Sequence, residues 1–371
     1  MTGIEHSEKF LAAAIAEAER GWGATHPNPM VGAVIVERGH IVAKGYHTRA
    51  GAPHAEVAAL AALGRPPHPD AILYVTLEPC STHGKTGACT EAILQAGIRH
   101  VVVGATDPNP LHAGRGLRLL QAAGVRVERG VLAEACTDLN LIFNHWIVKG
   151  TPLLAVKVAT TLDACLATRN GDSQWITGPE ARTDVMRWRR YFPAIAVGAG
   201  TVIADNPQLT SRLGESVFCP RRIVLDRSLR SVTAPFRQVY ADACAAETIV
   251  VTAETADPEP LKRLRGLGVE VWQLPTGAAN FWALFKQKCA AAGICGVYIE
   301  TGPTLLRSLL HHSAVDYLFH YQAPRLLADS EAAQAFSGRV TEKLADALQL
   351  HSVRRQVFGE DGLTRGYVGE G

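Results

Sequence analysis

Short apolar runs alternate with helix-length stretches along almost the whole chain, and this alternation constrains the fold more than any other feature of the sequence. After an amphipathic helix over residues 6–20, strands are expected at 31–36 and 41–45, joined by a turn at Gly39, and again at 72–77, 101–104 and 125–128. Helices are expected at 55–63, 90–96 and 116–123. Strands that alternate with helices bury their apolar faces as an α/β layer structure, so a largely parallel sheet is expected. The sequence Lys149-Gly150-Thr151-Pro152 interrupts the pattern and divides the chain into domains at 1–150 and 151–371. A second α/β series follows, with strands at 153–158, 195–197, 222–225, 248–251, 269–272, 297–300 and 317–321. Residues 352–368, with Gly359-Glu360-Asp361-Gly362 in the middle, read as a closing β-hairpin.

Composition narrows the function classes. The chain has 371 residues, enough for two such domains, and 47% of them are hydrophobic, so each domain can close a core. No run approaches the roughly 18 apolar residues of a membrane span. Glu5, Glu8, Glu17 and Glu19 lie among the N-terminal alanines, unlike a secretory signal, which points to the cytoplasm. The eight cysteines are then read as metal ligands or buried thiols rather than disulfides. Residues 1–150 carry thirteen acidic and thirteen basic side chains, which argues against a nucleic-acid partner. The arginines 182, 187, 189 and 190 form a local basic cluster, ordinarily a solvated face and otherwise a seat for a small phosphorylated ligand. Nothing in the sequence excludes a homo-oligomer.

Three pieces of the first domain converge on one chemistry. His54-Ala55-Glu56 opens a helix, Glu78-Pro79-Cys80 ends a strand, and Cys89 opens the next helix. One His and two Cys leave the fourth tetrahedral position of a zinc ion to water, as a catalytic site requires, with one zinc per chain. Helix N-termini favour both thiolates. Glu56, two residues past the His, is placed to shuttle protons. Zinc nucleobase deaminases use H-x-E followed by P-C-x-x-C, whereas here eight residues separate Cys80 from Cys89. Each residue alone has a structural reading; the ordered set favours a deaminase centre.

The motifs Thr25-His26-Pro27-Asn28-Pro29-Met30-Val31-Gly32, His54-Ala55-Glu56, Glu78-Pro79-Cys80, Gly84-Lys85-Thr86 and Asp107-Pro108-Asn109-Pro110 resemble the deaminase half of the bifunctional RibD family of riboflavin biosynthesis. Lys157 with Thr161-Leu162-Asp163, residues 173–177, Gly198-Ala199-Gly200-Thr201, Asp205-Asn206-Pro207 and Glu300-Thr301-Gly302-Pro303-Thr304 resemble its reductase half. The resemblance implies a cytidine-deaminase-like three-layer α/β domain followed by a dihydrofolate-reductase-like domain. It implies deamination of a phosphoribosylaminopyrimidine, then NADPH-dependent reduction of its ribosyl group to ribityl. Asn28, His47, Lys85, Asp107 and Asn109 would line the first substrate pocket. Ala159, Trp175, Thr201, Asp205, Gly302, Pro303, Thr304, Leu305, Leu306, Arg307 and Ser308 would contact NADPH. Ser173, Arg189, Leu209, Arg212 and Glu300 would contact the second substrate, Arg189 and Arg212 through its phosphate. Departures from the family pattern fall at Thr82, where His is common and His83 stands next door, and at Gly87-Ala88, Ala164, Thr301, Arg227 and Ala328.

From the residues alone, the second half is less distinctive. Gly198-x-Gly200 lacks a third glycine, since Ile203 stands in its place, and the Glu300 to Pro303 joint is either an ordinary turn or a phosphate seat. Thr177-Gly178-Pro179-Glu180 reads as a capping box. The competing readings are a monofunctional deaminase with an inactive or ligand-binding second domain, a nucleic-acid-editing deaminase, and a zinc-stabilised binding module. Glu56 speaks against the last, because a structural zinc needs no carboxylate beside it.

Overall fold

The computed structural model describes residues 3–82, 87–214, 216–275 and 280–369. The chain forms two compact units, Met1–Gly150 and Thr151–Gly371. In the first, the strands are β1 (Gly32–Glu37), β2 (His40–Tyr46), β3 (Ile72–Leu77), β4 (His100–Ala105) and β5 (Arg126–Arg129). The helices are α1 (Gly3–Ala18), α2 (Ala55–Leu63), α3 (Cys89–Gln95), α4 (Arg115–Ala122), α5 (Ala133–Asp138) and α6 (Leu141–Lys149). The sheet order is β2-β1-β3-β4-β5.

Two layers of helices cover this sheet, as the alternation of inward and outward residues demands. Ala33, Ile35, Leu73, Val75, Val101 and Val103 point to one face and bury Ala55 and Ala59 of α2, Ile93 of α3 and Leu117 and Leu120 of α4. Val34, Val36, Tyr74 and Val102 point to the other and bury Phe10, Leu11 and Ala14 of α1. The expectation of a largely parallel sheet needs correction. β3 pairs β4 and β4 pairs β5 in parallel, but β1 runs antiparallel to both β2 and β3. The hairpin β1–β2 inserts as one block at the sheet edge, and its turn forces the reversal. Gly45 lets α2 lie directly on β2, since a Cβ there would stand 2.3 Å from Ala59 N.

The second unit is built on a nine-stranded sheet. Strands Glu270–Leu274, Thr248–Ala253, Arg221–Leu225, Ala194–Gly198, Gly296–Glu300, Leu153–Thr160 and Tyr317–Gln322 lie side by side in that order and are all parallel. Asp361–Val368 and Leu350–Phe358 add an antiparallel hairpin at one edge, as expected. Leu154, Val156, Val158, Val297 and Ile299 face helices Phe281–Ala291 and Pro303–His311. Ile195, Val197, Val224 and Val250 face the opposite layer, which includes Leu261 and Leu264 of helix Pro258–Gly266. The expected capping box is not formed. Helix Pro179–Tyr191 takes Gly178 as its N-cap with no side-chain cap, because Pro179 sets the first helical residue. Gly178 N instead donates to Asp361 Oδ2 at 2.6 Å.

Candidate metal centre and cofactor cleft

The strand-to-helix joints of the first unit deliver the chemistry. His54 is the N-cap of α2, Cys80 follows the end of β3, and Cys89 is the first residue of α3. His54 Nδ1, Cys80 Sγ and Cys89 Sγ all lie within 4.8 Å of one another. Nδ1 stands 3.2 Å from Cys89 Sγ and 3.5 Å from Cys80 Sγ. Donors about 2.0–2.3 Å from a tetrahedral zinc stand roughly 3.3–3.8 Å apart, so the set fits that ion. Cys80 Sγ accepts the first amide of α3, Cys89 N, at 3.3 Å. The hydrogen bond from Cys89, and then that from His54, holds the Cys80 thiol down to about 4, while the same contact drives the Cys89 thiol up. A zinc ion held here would keep both sulfurs as thiolates. Glu56 is 3% exposed, and burial pushes its carboxyl up to about 7.

Of the residues expected to line the pyrimidine pocket, His47, Asn28 and Asp107 lie near this centre. His47 packs edge-on against His54, with ring centroids 5.4 Å apart. Its Nδ1 lies 3.0 Å from Pro53 O, which only accepts, so Nδ1 carries the proton. Burial pulls His47 below the usual imidazole range, leaving Nε2 a lone pair that accepts from Asn28 Nδ2 at 3.1 Å. Both ring nitrogens are thus satisfied within the protein, and Asn28 is held with Oδ1 turned away from His47. Asp107 and Asn109 sit in successive turns, Asn109 N donating to Asp107 Oδ1 at 2.9 Å. A cleft joins Cys80, Ser81, Thr82, Asp107 and His112. Lys85 and His83 lie outside the described residues. Glu78 and His112 of this cleft carried no role in the sequence reading; for Glu78 the signal was a carboxylate beside the strand-ending Pro79.

The second cluster lies at the carboxyl ends of the central parallel strands, where open α/β sheets bind ligands. Lys157 and Glu300 are register partners on neighbouring strands. Arg189 grips Glu300 with both arms, Nε to Oε1 at 2.6 Å and Nη2 to Oε2 at 2.8 Å, and donates through Nη1 to Thr210 O at 2.9 Å. Burial works against charge on Glu300, yet Arg189 and Lys157 bring its carboxyl below the ordinary range. Burial lowers the Lys157 amine. Three of the five Arg189 N–H groups are thus engaged by Glu300 and Thr210 before any phosphate is bound. Arg212 is exposed and donates through Nη1 to Gln208 Oε1 at 3.3 Å.

Gly198 and Gly302 are the N-caps of helices Ala199–Asp205 and Pro303–His311, neither with a side-chain cap. Their strands are sheet neighbours, so the two helix starts stand side by side, with Leu305 Cβ 3.7 Å from where a Gly198 Cβ would sit. Uncapped amides of Thr304 and Leu305 fit a phosphate of a dinucleotide. Thr201, Asp205, Thr304, Arg307 and Ser308 have surface on this edge, as do Ala159 and Ser173 on theirs. Trp175 is 62% exposed beneath the Arg182 guanidinium, 4.7 Å from the ring centroid. Leu306 and Leu209 differ from expectation. Both side chains are packed in core clusters, so any ligand contact there runs through the main chain.

Residues 152–363 match the family model described as the RibD C-terminal domain, and residues 4–105 match the cytidine and deoxycytidylate deaminase zinc-binding region. A riboflavin biosynthesis protein RibD from Bacillus amyloliquefaciens is 39% identical over 95% of this chain and 94% of its own length. One from Escherichia coli is 40% identical over 95% and 97%. A solved diaminohydroxyphosphoribosylaminopyrimidine deaminase/5-amino-6-(5-phosphoribosylamino)uracil reductase from Thermotoga maritima superposes with a TM-score of 0.81 at 33% identity, covering 99% of each chain. RibD of Acinetobacter baumannii gives 0.79 at 32% identity over 99% of this chain and 100% of its own.

Proposed function

The chain belongs to the RibD family of riboflavin biosynthesis proteins, and from that premise we propose how its residues divide the two reactions of a deaminase and reductase. Residues 1–150 deaminate 2,5-diamino-6-(5-phosphoribosylamino)pyrimidin-4-one, and residues 151–371 reduce the ribosyl group of the product to ribityl. The observation that carries the reading is the convergence of His54, Cys80 and Cys89 beside a buried Glu56. His54, Cys80 and Cys89 would hold a zinc ion, which would supply the Lewis acidity that activates water near neutral pH. Glu56, with its carboxyl near 7, takes the proton of the attacking water and passes it to the departing amino nitrogen. Asn28 Oδ1 accepts an N–H of the pyrimidine, His47 holding the amide in that sense. Asp107 and Asn109 complete the pocket, and the family resemblance gives Lys85 a substrate contact as well.

In the second unit NADPH supplies the hydride. The starts of helices Ala199–Asp205 and Pro303–His311 seat it, with Ala159, Trp175, Thr201, Asp205 and residues 302–308 against it. Glu300, fixed by Arg189, and Lys157 face the sugar as proton acceptor and donor, while Ser173, the main chain at Leu209, and Arg212 hold its phosphate end. A reducing cytoplasm fits eight cysteines that form no disulfide. The test is the purified full chain with the aminopyrimidine phosphate, assayed with and without NADPH. Ammonia release in both, and NADPH oxidation only after deamination, is the expected result. Ammonia release without any NADPH oxidation would favour a deaminase with a silent second domain.

A further inference from the structure

Glu78 is 6% exposed and stands two residues before Cys80, yet it makes no contact with the metal ligands among its described hydrogen bonds. Its carboxylate instead collects main-chain amides from one loop. Oε2 accepts from Asp107 N at 3.1 Å and Gly114 N at 2.9 Å; Oε1 accepts from Gly116 N at 2.9 Å and, more weakly, Leu117 N at 3.5 Å. The last two belong to the first turn of α4, so the helix dipole also favours the anion. Gly116 makes the approach feasible: a Cβ there would stand 2.1 Å from Pro79 O. The loop so tied, residues 106–116, carries Asp107, Asn109 and His112, and Asp107 and His112 share the cleft with Cys80.

We infer that Glu78 is a positioning residue of the deaminase site: it anchors the loop that presents Asp107 and Asn109 to the pyrimidine, in register with the strand end that presents Cys80. The inference rests on the deaminase reading of the first unit. No side chain other than a carboxylate serves all four amides. Glutamine keeps one acceptor oxygen and turns the other pair of contacts into donor facing donor.

The decisive variant is Glu78→Gln in the full zinc-loaded chain. One zinc per chain is expected to remain. KM for the aminopyrimidine phosphate is expected to rise roughly ten- to a hundred-fold, with kcat within about threefold of the parent. Asp107→Asn is expected to raise KM too, and the double variant to be no worse than the weaker single one, because both act on one contact set. Gly116→Ala, whose Cβ would stand 2.1 Å from Pro79 O and 3.3 Å from Glu78 Oε1 and so pushes α4 off both while leaving the carboxylate chemically intact, should reproduce the KM defect. Hydrogen exchange at the amides of Asp107, Gly114 and Gly116 should accelerate in Glu78→Gln. Unchanged KM with unchanged exchange overturns the inference. So does loss of zinc or of kcat at constant KM, which would make Glu78 a support of the metal ligands, and so does simple multiplication of the two single effects. Faster exchange at these amides in a chain whose parent does not deaminate keeps the anchor and rejects the deaminase reading instead.

Discussion

Glu56 illustrates how burial sets chemistry at a single residue. In water its carboxyl would be ionised and a poor proton donor at neutral pH. At 3% exposure it is pushed up to about 7, where taking and returning a proton are both accessible. Glu56→Gln keeps volume and removes the titration. Deamination should fall by at least the roughly 10²–10⁴ that acid–base catalysis supplies, with zinc content unchanged. Near-normal turnover in a zinc-replete variant would exclude the role. The two arginines of the second site should separate in the same way. Arg212 is exposed, so Arg212→Ala removes a charged hydrogen bond to phosphate, about 1.5–3 kcal/mol. KM for the deaminated substrate should rise roughly ten- to a hundred-fold, with NADPH affinity kept. Arg189→Ala leaves the part-buried Glu300 with Lys157 as its remaining cation and no bidentate partner to orient it, and should depress kcat as well. Equal kinetic signatures for the two variants would contradict this division.

At the scale of the element, two turns test how the backbone of the second unit is held. The Thr161–Cys165 turn places Ala164 at φ 62°, and Ala328 sits at φ 52°. Asp163 ties them together by accepting from Leu327 N at 3.1 Å and Ala328 N at 2.8 Å. Both are positions where the chain departs from the family pattern it resembles, and a left-handed backbone favours glycine at each. An alanine there carries about 1–2 kcal/mol of strain, while glycine costs about 0.5–1 kcal/mol more in unfolded-chain entropy. Ala164→Gly should therefore stabilise the unit by about 0.5–1 kcal/mol, a rise of roughly 1–4 °C in its melting temperature. A lower melting temperature would show that the methyl contact outweighs the strain. The elements themselves were largely legible. Residues 55–63 and 72–77 are helix and strand with those bounds, and most other strands lie within a residue or two of expectation. Helices α5 and α6 were not foreseen, because six and nine residues split at Asn140 show too little of a 3.6-residue period. The zinc triad was legible because its three members sit at strand and helix ends that the sequence itself marks. The Arg189–Glu300 pair was not, since its partners are 111 residues apart and meet only across the sheet.

The whole molecule holds two α/β units, each with its own cores. Leu73, Val75, Ile93 and Val101 close one around the metal-binding helices, and Leu154, Val156, Ile299 and Leu306 close another around the cofactor strands. A metal that binds only folded 1–150 adds RT ln(1 + [Zn]/Kd) to that unit and nothing to the other, or about 2.7 kcal/mol at a free concentration a hundred times Kd. Chelation should accordingly lower one of two calorimetric transitions and leave the second in place. The same chelated protein should lose deamination but still oxidise NADPH when given the deaminated substrate, with KM unchanged. Re-adding zinc should restore both the transition and the first activity together. A single transition that shifts as one, or NADPH oxidation lost in step with zinc, would mean that the metal supports the reductase site as well. The separation of His54, Cys80 and Cys89 from Lys157, Arg189 and Glu300 into units with separate cores is the physical ground for expecting the activities to part.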